Sequence, residues 1–221
     1  MDFSSLSPGF VIAIVVSLAL APFVAVMVTS FTKIVVVLSL LRNALGLQQV
    51  PPNVVLNGLA IILSIYVMYP VILDTHQAIE QRGQELPEQK MDLQRMLDLV
   101  GHAKEPLREF LIAHSSDTER AFFLESARRF LPDERRQSLG PRDYIVVVPA
   151  FTVSELTAAF QIGFLIFMPF LIIDLMVSNI LLALGLMMLS PTLVSLLFKL
   201  LLFVFMDGWA KLVHGLVLTY G

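Results

Sequence analysis

Cysteine is absent from all 221 residues. That excludes disulfides and thiolate metal sites, and it permits an oxidising compartment without requiring one. Charge is scarce too. Asp, Glu, Lys and Arg make up 15% of the chain, against about 25% in average soluble proteins. The net charge of −3 gives no basic surface for nucleic acid. Phosphate-loop, dinucleotide-binding, zinc-protease, dithiol and nucleophile-elbow signatures are all missing. No residue set points to a cofactor, a metal or a catalytic centre. Asp174 and Asp207 would have to face each other to act as an aspartyl intramembrane hydrolase. Counting outward from a turn near Leu186–Met188 sets Asp174 opposite Lys199 instead. A non-enzymatic chain with no cofactor is expected.

What is present is apolar: 57% of the residues are hydrophobic. The few charges are crowded together. Residues 74–143 hold 11 of the 15 Lys and Arg and 14 of the 18 Asp and Glu, which leaves eight charges for the rest of the chain. That distribution predicts an all-α membrane protein with one hydrophilic insert. Three regions follow: a hydrophobic helical hairpin over 1–73, a small helical, extracytoplasmic domain over 74–143, and a second hydrophobic hairpin over 144–221.

In the first region, Phe10 to Val28 is apolar and long enough to span a bilayer. A cleaved signal peptide is the competing reading, but only Asp2 is charged ahead of the apolar run, so no basic n-region precedes it. Pro22 is expected to kink this helix. Val54 to Leu73 is the second spanning candidate, with Tyr66 and Tyr69 suited to an interface belt. Between the two, Lys33 and Arg42 fall in what reads as the inter-helix loop. Arg42, Asn43, Gly46, Pro51 and Pro52 mark the hairpin turn.

The insert is too long for a plain loop. Met96, Leu97 and Val100 share a helical face within 91–100. Ser116 followed by Glu119 has the form of a capping box. It opens a helix whose Phe122, Phe123, Ala127, Phe130 and Leu131 make one apolar stripe, read as domain core. His76, His102 and His114 lack ligand spacing. Tyr144 to Val148, before Pro149, reads equally as a short strand or as the start of a helix.

The second hairpin runs over Leu156–Ile173 and Thr192–Met206, with Gly163 and Pro169 making the first arm bend-prone. It carries Glu155, Asp174, Lys199 and Asp207. A charge at mid-bilayer costs about 2.5–3.5 kcal/mol on insertion scales, so each needs a partner, water or a function. Asp174 and Lys199 are at matching depths and are expected to pair. Lys211 follows Asp207 in the favourable i,i+4 order. Glu155 finds no partner on its own hairpin and is expected to meet a neighbouring subunit. No internal repeat stands out at the level of residue identity. Short-loop charge counting puts the Lys33/Arg42 loop in the cytoplasm and the insert, with four spans, on the outer face.

Three stretches, SLLRNALGLQQVPPN (39–53), residues 148–191 and FKLLLFVFMDGWAKLVHGL (198–216), resemble the FliP/SctR family, core export-apparatus proteins of bacterial type III secretion. GLQQVPPN and LSPTLVSLLFKLLLF look more like the injectisome branch (YscR, HrcR) than the flagellar one. The resemblance implies a structural subunit of a secretion pore in the bacterial inner membrane, with the insert periplasmic. About five copies in a ring or helical turn would join smaller SctS-like and SctT-like subunits and SctU-like and SctV-like proteins. Unfolded secreted polypeptides would pass through the pore. The hairpins would be packed together and lifted largely out of the bilayer, which would place Glu155, Asp174 and Lys199 in protein interfaces. Relatives carry a methionine-rich turn that narrows the pore. Here Leu186, Met187 and Met188 stand at that place, with leucine for the first methionine. An apolar, unbranched residue suits such a gasket because it can re-pack around varied substrates. Read without the resemblance, the same residues are an ordinary apolar turn. A small-solute or ion transporter using Glu155, Asp174 and Lys199 as a relay is the alternative function, and it would be expected to work without partners.

Overall fold

The computed structural model describes residues 8–85, 101–186 and 188–221. Among them every regular element is a helix. They are α1 (Pro8–Met27), α2 (Phe31–Ala44), α3 (Asn53–Glu85), α4 (Glu105–Ala113), α5 (Asp117–Phe130), the short α6 (Asp133–Arg136), α7 (Tyr144–Ala183), α8 (Pro191–Phe205) and α9 (Gly208–Leu218). Tyr144 to Val148 is therefore a helix start, and α7 continues unbroken through Pro149 and Pro169.

The first hairpin differs from its expected form. The stretch read as a loop around Lys33 and Arg42 is helix α2, so the arms are α2 and α3, with α1 leading into α2 across a break. The reason is visible in the spacing: Ile34, Val37, Leu38 and Leu41 recur at helical intervals and are buried. Ile34, Val37 and Leu38 pack with Leu56, Ala60 and Leu63 of α3, Ala159 of α7 and Leu216 of α9, while Leu41 packs with Phe170 of α7 and Phe203 of α8. Two basic residues suggested a loop, but one of them, Lys33, is buried with a partner.

Both hairpins turn by the same device. Gly46 has φ +77° and Gly185 φ +71°, a left-handed conformation that glycine adopts without a Cβ clash. Leu47 N–H donates to Arg42 C=O and Gly46 N–H to Asn43 C=O. Leu186 N–H donates to Leu181 C=O and Gly185 N–H to Leu182 C=O. Each is a Schellman motif, which satisfies the last carbonyls of α2 and of α7. Against the expectation of no repeat in residue identity, the two turns share one. Ala44-Leu45-Gly46-Leu47 aligns with Ala183-Leu184-Gly185-Leu186, and Pro52 aligns with Pro191. In the same register Phe31 matches Phe170 and Ser39 matches Ser178. Those serines bond the aligned carbonyls of Val35 and Asp174, at 2.7 and 2.8 Å.

α7 is the spine of the molecule. It lies against α2, α4, α5 and α8. At Gly163 a Cβ would come within 2.2 Å of a Leu40 methyl carbon, so the absent side chain lets α2 and α7 approach closely. Met68, Phe110, Leu111, Val147 and Phe151 join α3, α4 and α7 in a further core cluster.

The insert helices use that shared core. Ser116 does cap α5, but it accepts from Thr118 N–H at 3.2 Å and not from Glu119 N–H as a capping box would have it. The reciprocal half of the box is replaced: Ser116 N–H donates to Ser154 Oγ of α7 at 2.9 Å. α5 contains no buried residue, and Phe122 and Phe130 are 60% and 87% exposed. The expected core stripe is therefore split: Phe122 and Phe130 face outward, while Phe123, Ala127 and Leu131 are half-buried. α5 rests on α7, and the hydrophobic centre of this region comes from α4 instead. The helical face expected over 91–100 lies outside the described residues.

α3 over Asn53–Gln81 and α7 are long and apolar enough to cross a membrane. Counting the bent pairs α1/α2 and α8/α9, the latter turning by 63°, raises the possible spans to four. The exposed apolar faces of α3, α7 and α8 suit that medium.

Candidate functional site

Two buried charge clusters and one apolar hairpin tip are the chemically distinct features. In the first cluster, Lys33 of α2 approaches Glu155 of α7, Nζ to Oε1 3.1 Å, with side chains 5% and 3% exposed. Tyr220, beyond α9, donates its hydroxyl to Oε2 of the same carboxylate. Its ring lies under the Lys33 ammonium at 3.7 Å. Burial pushes the Tyr220 phenol up, and the Glu155 carboxylate and their hydrogen bond push it further in that direction. It therefore remains a neutral donor. Ser30 Oγ, just ahead of α2, donates to Ser64 Oγ of α3 at 3.1 Å, a buried polar link between the two arms of the first hairpin.

This geometry corrects the expectation for Glu155. Its partner is in its own chain, on the first hairpin rather than the second. Considering only the hairpin that carries Glu155 missed it. A signal was available: Lys33 opens an otherwise apolar run and needs a carboxylate as much as Glu155 needs a cation. Tyr220 gives no comparable sequence signal, because a tyrosine in an apolar setting is ordinary.

In the second cluster Lys199 of α8 meets Asp174 of α7, Nζ to Oδ2 2.5 Å. The depth count from the turn had placed these two opposite each other. The structure adds what the count omits. Lys199 also donates to the Ala44 carbonyl at 3.1 Å, so it caps the C-terminal end of α2 and ties both hairpin ends together. Asp174 is 37% exposed on its side chain and Lys199 6%.

Asp207 and Lys211 form no ion pair among the described residues. Asp207 precedes α9 in a left-handed conformation, φ 51°, so it is outside the helical register that would align it with Lys211. At the first turn, Arg42 Nη1 donates to Asn53 Oδ1 at 2.6 Å and to Pro51 C=O at 3.3 Å, which closes the 45–52 segment. Asn43 supplies a Schellman carbonyl and Gly46 the left-handed residue. Pro52 starts α3 by accepting from Val55 and Leu56 N–H.

At the second tip, Leu186 is 44% exposed and Met188 fully exposed. Leu184 and Leu189 flank them, also exposed. Met187, expected to share the tip, lies outside the described residues. An apolar tip without a covering element is the kind of surface that a larger assembly buries.

Comparison with known proteins bears on what that assembly is. The FliP family profile matches residues 14–216. "Pathogenicity-related ORF2" of Xanthomonas campestris pv. glycines is 50% identical over 96% of each chain. "Hypersensitivity response secretion protein HrcR" of Ralstonia nicotianae is 49% identical, covering 100% of this chain and 98% of the relative. "Yop proteins translocation protein R" of Yersinia pestis is 49% identical over 92% of each. A match of this extent takes in both hairpins, both charge clusters and both turns, and the chain belongs to the FliP family.

Proposed function

We propose that this chain is a structural subunit of a type III secretion export gate. The observation that carries the reading is near-half identity, end to end, to proteins named for secretion and translocation. The geometry supports it: long apolar helices, charges used in pairs, and an apolar loop presented at a hairpin tip. Copies of the chain, about five, assemble with smaller SctS-like and SctT-like subunits in the bacterial inner membrane, and SctU-like and SctV-like proteins join them. Unfolded polypeptides pass through the resulting pore. The subunit does no covalent chemistry. Leu186, Met187 and Met188 form the narrowest ring, where the unbranched methionine side chains can close on one another or re-pack around a passing chain and the branched Leu186 is stiffer.

Insert residues 74–143 are periplasmic in this reading. Its charge argument now rests on Arg42 alone, because Lys33 is buried in an ion pair. The three intramembrane charges of the transporter alternative divide between two separate pairs, Glu155 with Lys33 and Asp174 with Lys199, rather than forming one relay.

The test is the native complex. Extracted in mild detergent, the tagged chain should run as an assembly many times its own 24.6 kDa and retain partner subunits. Deleting it should abolish secretion, and restoring it should recover secretion. A functional particle containing this chain alone would overturn the proposal.

A further inference from the structure

One half-buried polar group sits where four parts of the molecule meet and has no role in the gate as proposed. Tyr220 follows α9. Its hydroxyl donates to Glu155 of α7, and its ring carries the Lys33 ammonium of α2. The remaining ring surface faces the insert helix α4. Phe110 stacks on it with centroids 6.1 Å apart and planes 15° apart, and the His114 ring is at 5.0 Å. Each contact satisfies a different need. Without Tyr220, Glu155 Oε2 would keep no donor in a site where its side chain is 3% exposed. An unpaired polar atom there is costly. Without Tyr220, the Lys33 ammonium would lose the π face that supplements its single carboxylate contact.

We infer that Tyr220 is a positioning residue that couples insert helix α4 to the seating of α9 on the α2–α7 ion pair. The pair is fully satisfied only while α9 is docked, and an intact pair in turn favours the docked α9. Such coupling is reciprocal. Displacing Phe110 from the ring loosens the same joint from the insert side. α9 has other anchors, chiefly Leu216 in the core, with Leu212, Val213 and Val217 against it, so loss of the joint shifts the docking equilibrium without unfolding the helix. This inference stands apart from the export reading, because its readout is accessibility and not secretion.

The chain has no cysteine, so one can be placed at Val217, which packs against the core beneath α9. In native membranes containing the full chain, the thiol-labelling rate of Val217→Cys reports how often α9 lifts. Adding Tyr220→Phe keeps the ring and removes only the hydroxyl. Labelling should rise by roughly tenfold, the cost of a hydrogen bond to a charged group. Phe110→Leu in the same background should raise it too, from the other side of the ring. In a Glu155→Gln background Tyr220→Phe should add much less, because the charged acceptor is gone. Unchanged labelling in both Tyr220→Phe and Phe110→Leu would overturn the inference. So would fully additive effects of Tyr220→Phe and Glu155→Gln. If Tyr220→Phe does not accumulate, the Phe110→Leu labelling decides alone.

Discussion

At the residue scale the two charge clusters behave differently because their surroundings differ. Lys33 and Glu155 are both buried, so removing either strands the other. Lys33→Met or Glu155→Ala should each cost the subunit about 3–5 kcal/mol, and the double variant Lys33→Met/Glu155→Leu should recover most of it. Thermal unfolding in detergent measures this, and full accumulation of Glu155→Ala without a stability loss would remove the pair's structural role. Lys199 and Asp174 should show a smaller penalty, because Asp174 is partly solvated. Lys199→Ala should still lower abundance. Adding Asp174→Ala should rescue it only in part, since the Ala44 carbonyl still lacks the donor that Lys199 supplied. An equal loss in the single and double variants would remove the pairing argument. Tyr220 has its own pH signature. Its phenol is raised in the folded state, so the protein holds that proton more tightly than the unfolded chain does. Its stabilising contribution is complete below the ordinary tyrosine value of about 10 and is lost as pH rises above it.

At the element scale the decisive contact is α2 against α7. Gly163 permits it, because any side chain there meets Leu40. Gly163→Ala should cost about 1–3 kcal/mol by forcing Leu40 off its position, and a lowered melting temperature would register it. Gly58 is the control: nothing lies near the Cβ it would gain. The same substitution there should be neutral or mildly stabilising, since alanine suits a helix better than glycine. Gly46→Ala should cost about 1–2 kcal/mol through its left-handed conformation, and Gly185→Ala a similar amount. α5 shows the limit of pattern reading at this scale. Its aromatic residues recur at helical intervals, yet periodicity reports only that a face exists, not what covers it. In the subunit that face is only half covered, and Phe130 is nearly bare.

At the scale of the whole molecule, sidedness and the tip are the open questions of the proposed gate. A cysteine at Gln137, exposed just beyond α6, should label with a membrane-impermeant thiol reagent in spheroplasts. Labelling only after lysis would reverse the orientation. Ser116 is the poorer choice, because its hydroxyl caps α5. Replacing both Met187 and Met188 with alanine should shorten the seal. Ion leak through the resting complex should then rise while the native assembly keeps its size. A double variant that leaks no more than wild type would remove the gasket role.

The sequence by itself determined that the chain is helical, membrane-seeking and hydrophilic in one insert. Those properties follow from local composition, because an apolar run of spanning length in a helix buries its own backbone polar groups without help from elsewhere. It determined the family too, since the recognisable stretches are contiguous. It also located both turns, because a glycine with proline five or six residues on is local chemistry: Gly46 precedes Pro51 and Pro52, and Gly185 precedes Pro191. The tertiary structure decided the rest. It gave Lys33, inside the buried face of α2, its partner Glu155 more than a hundred residues away. It left Phe122 and Phe130 of the α5 stripe exposed and took the insert's core from α4. It brought Tyr220 to the ion pair, a contact that no spacing along the chain encodes. In each case the deciding quantity is which charge or face finds its complement across the fold, and that distance is spatial rather than sequential.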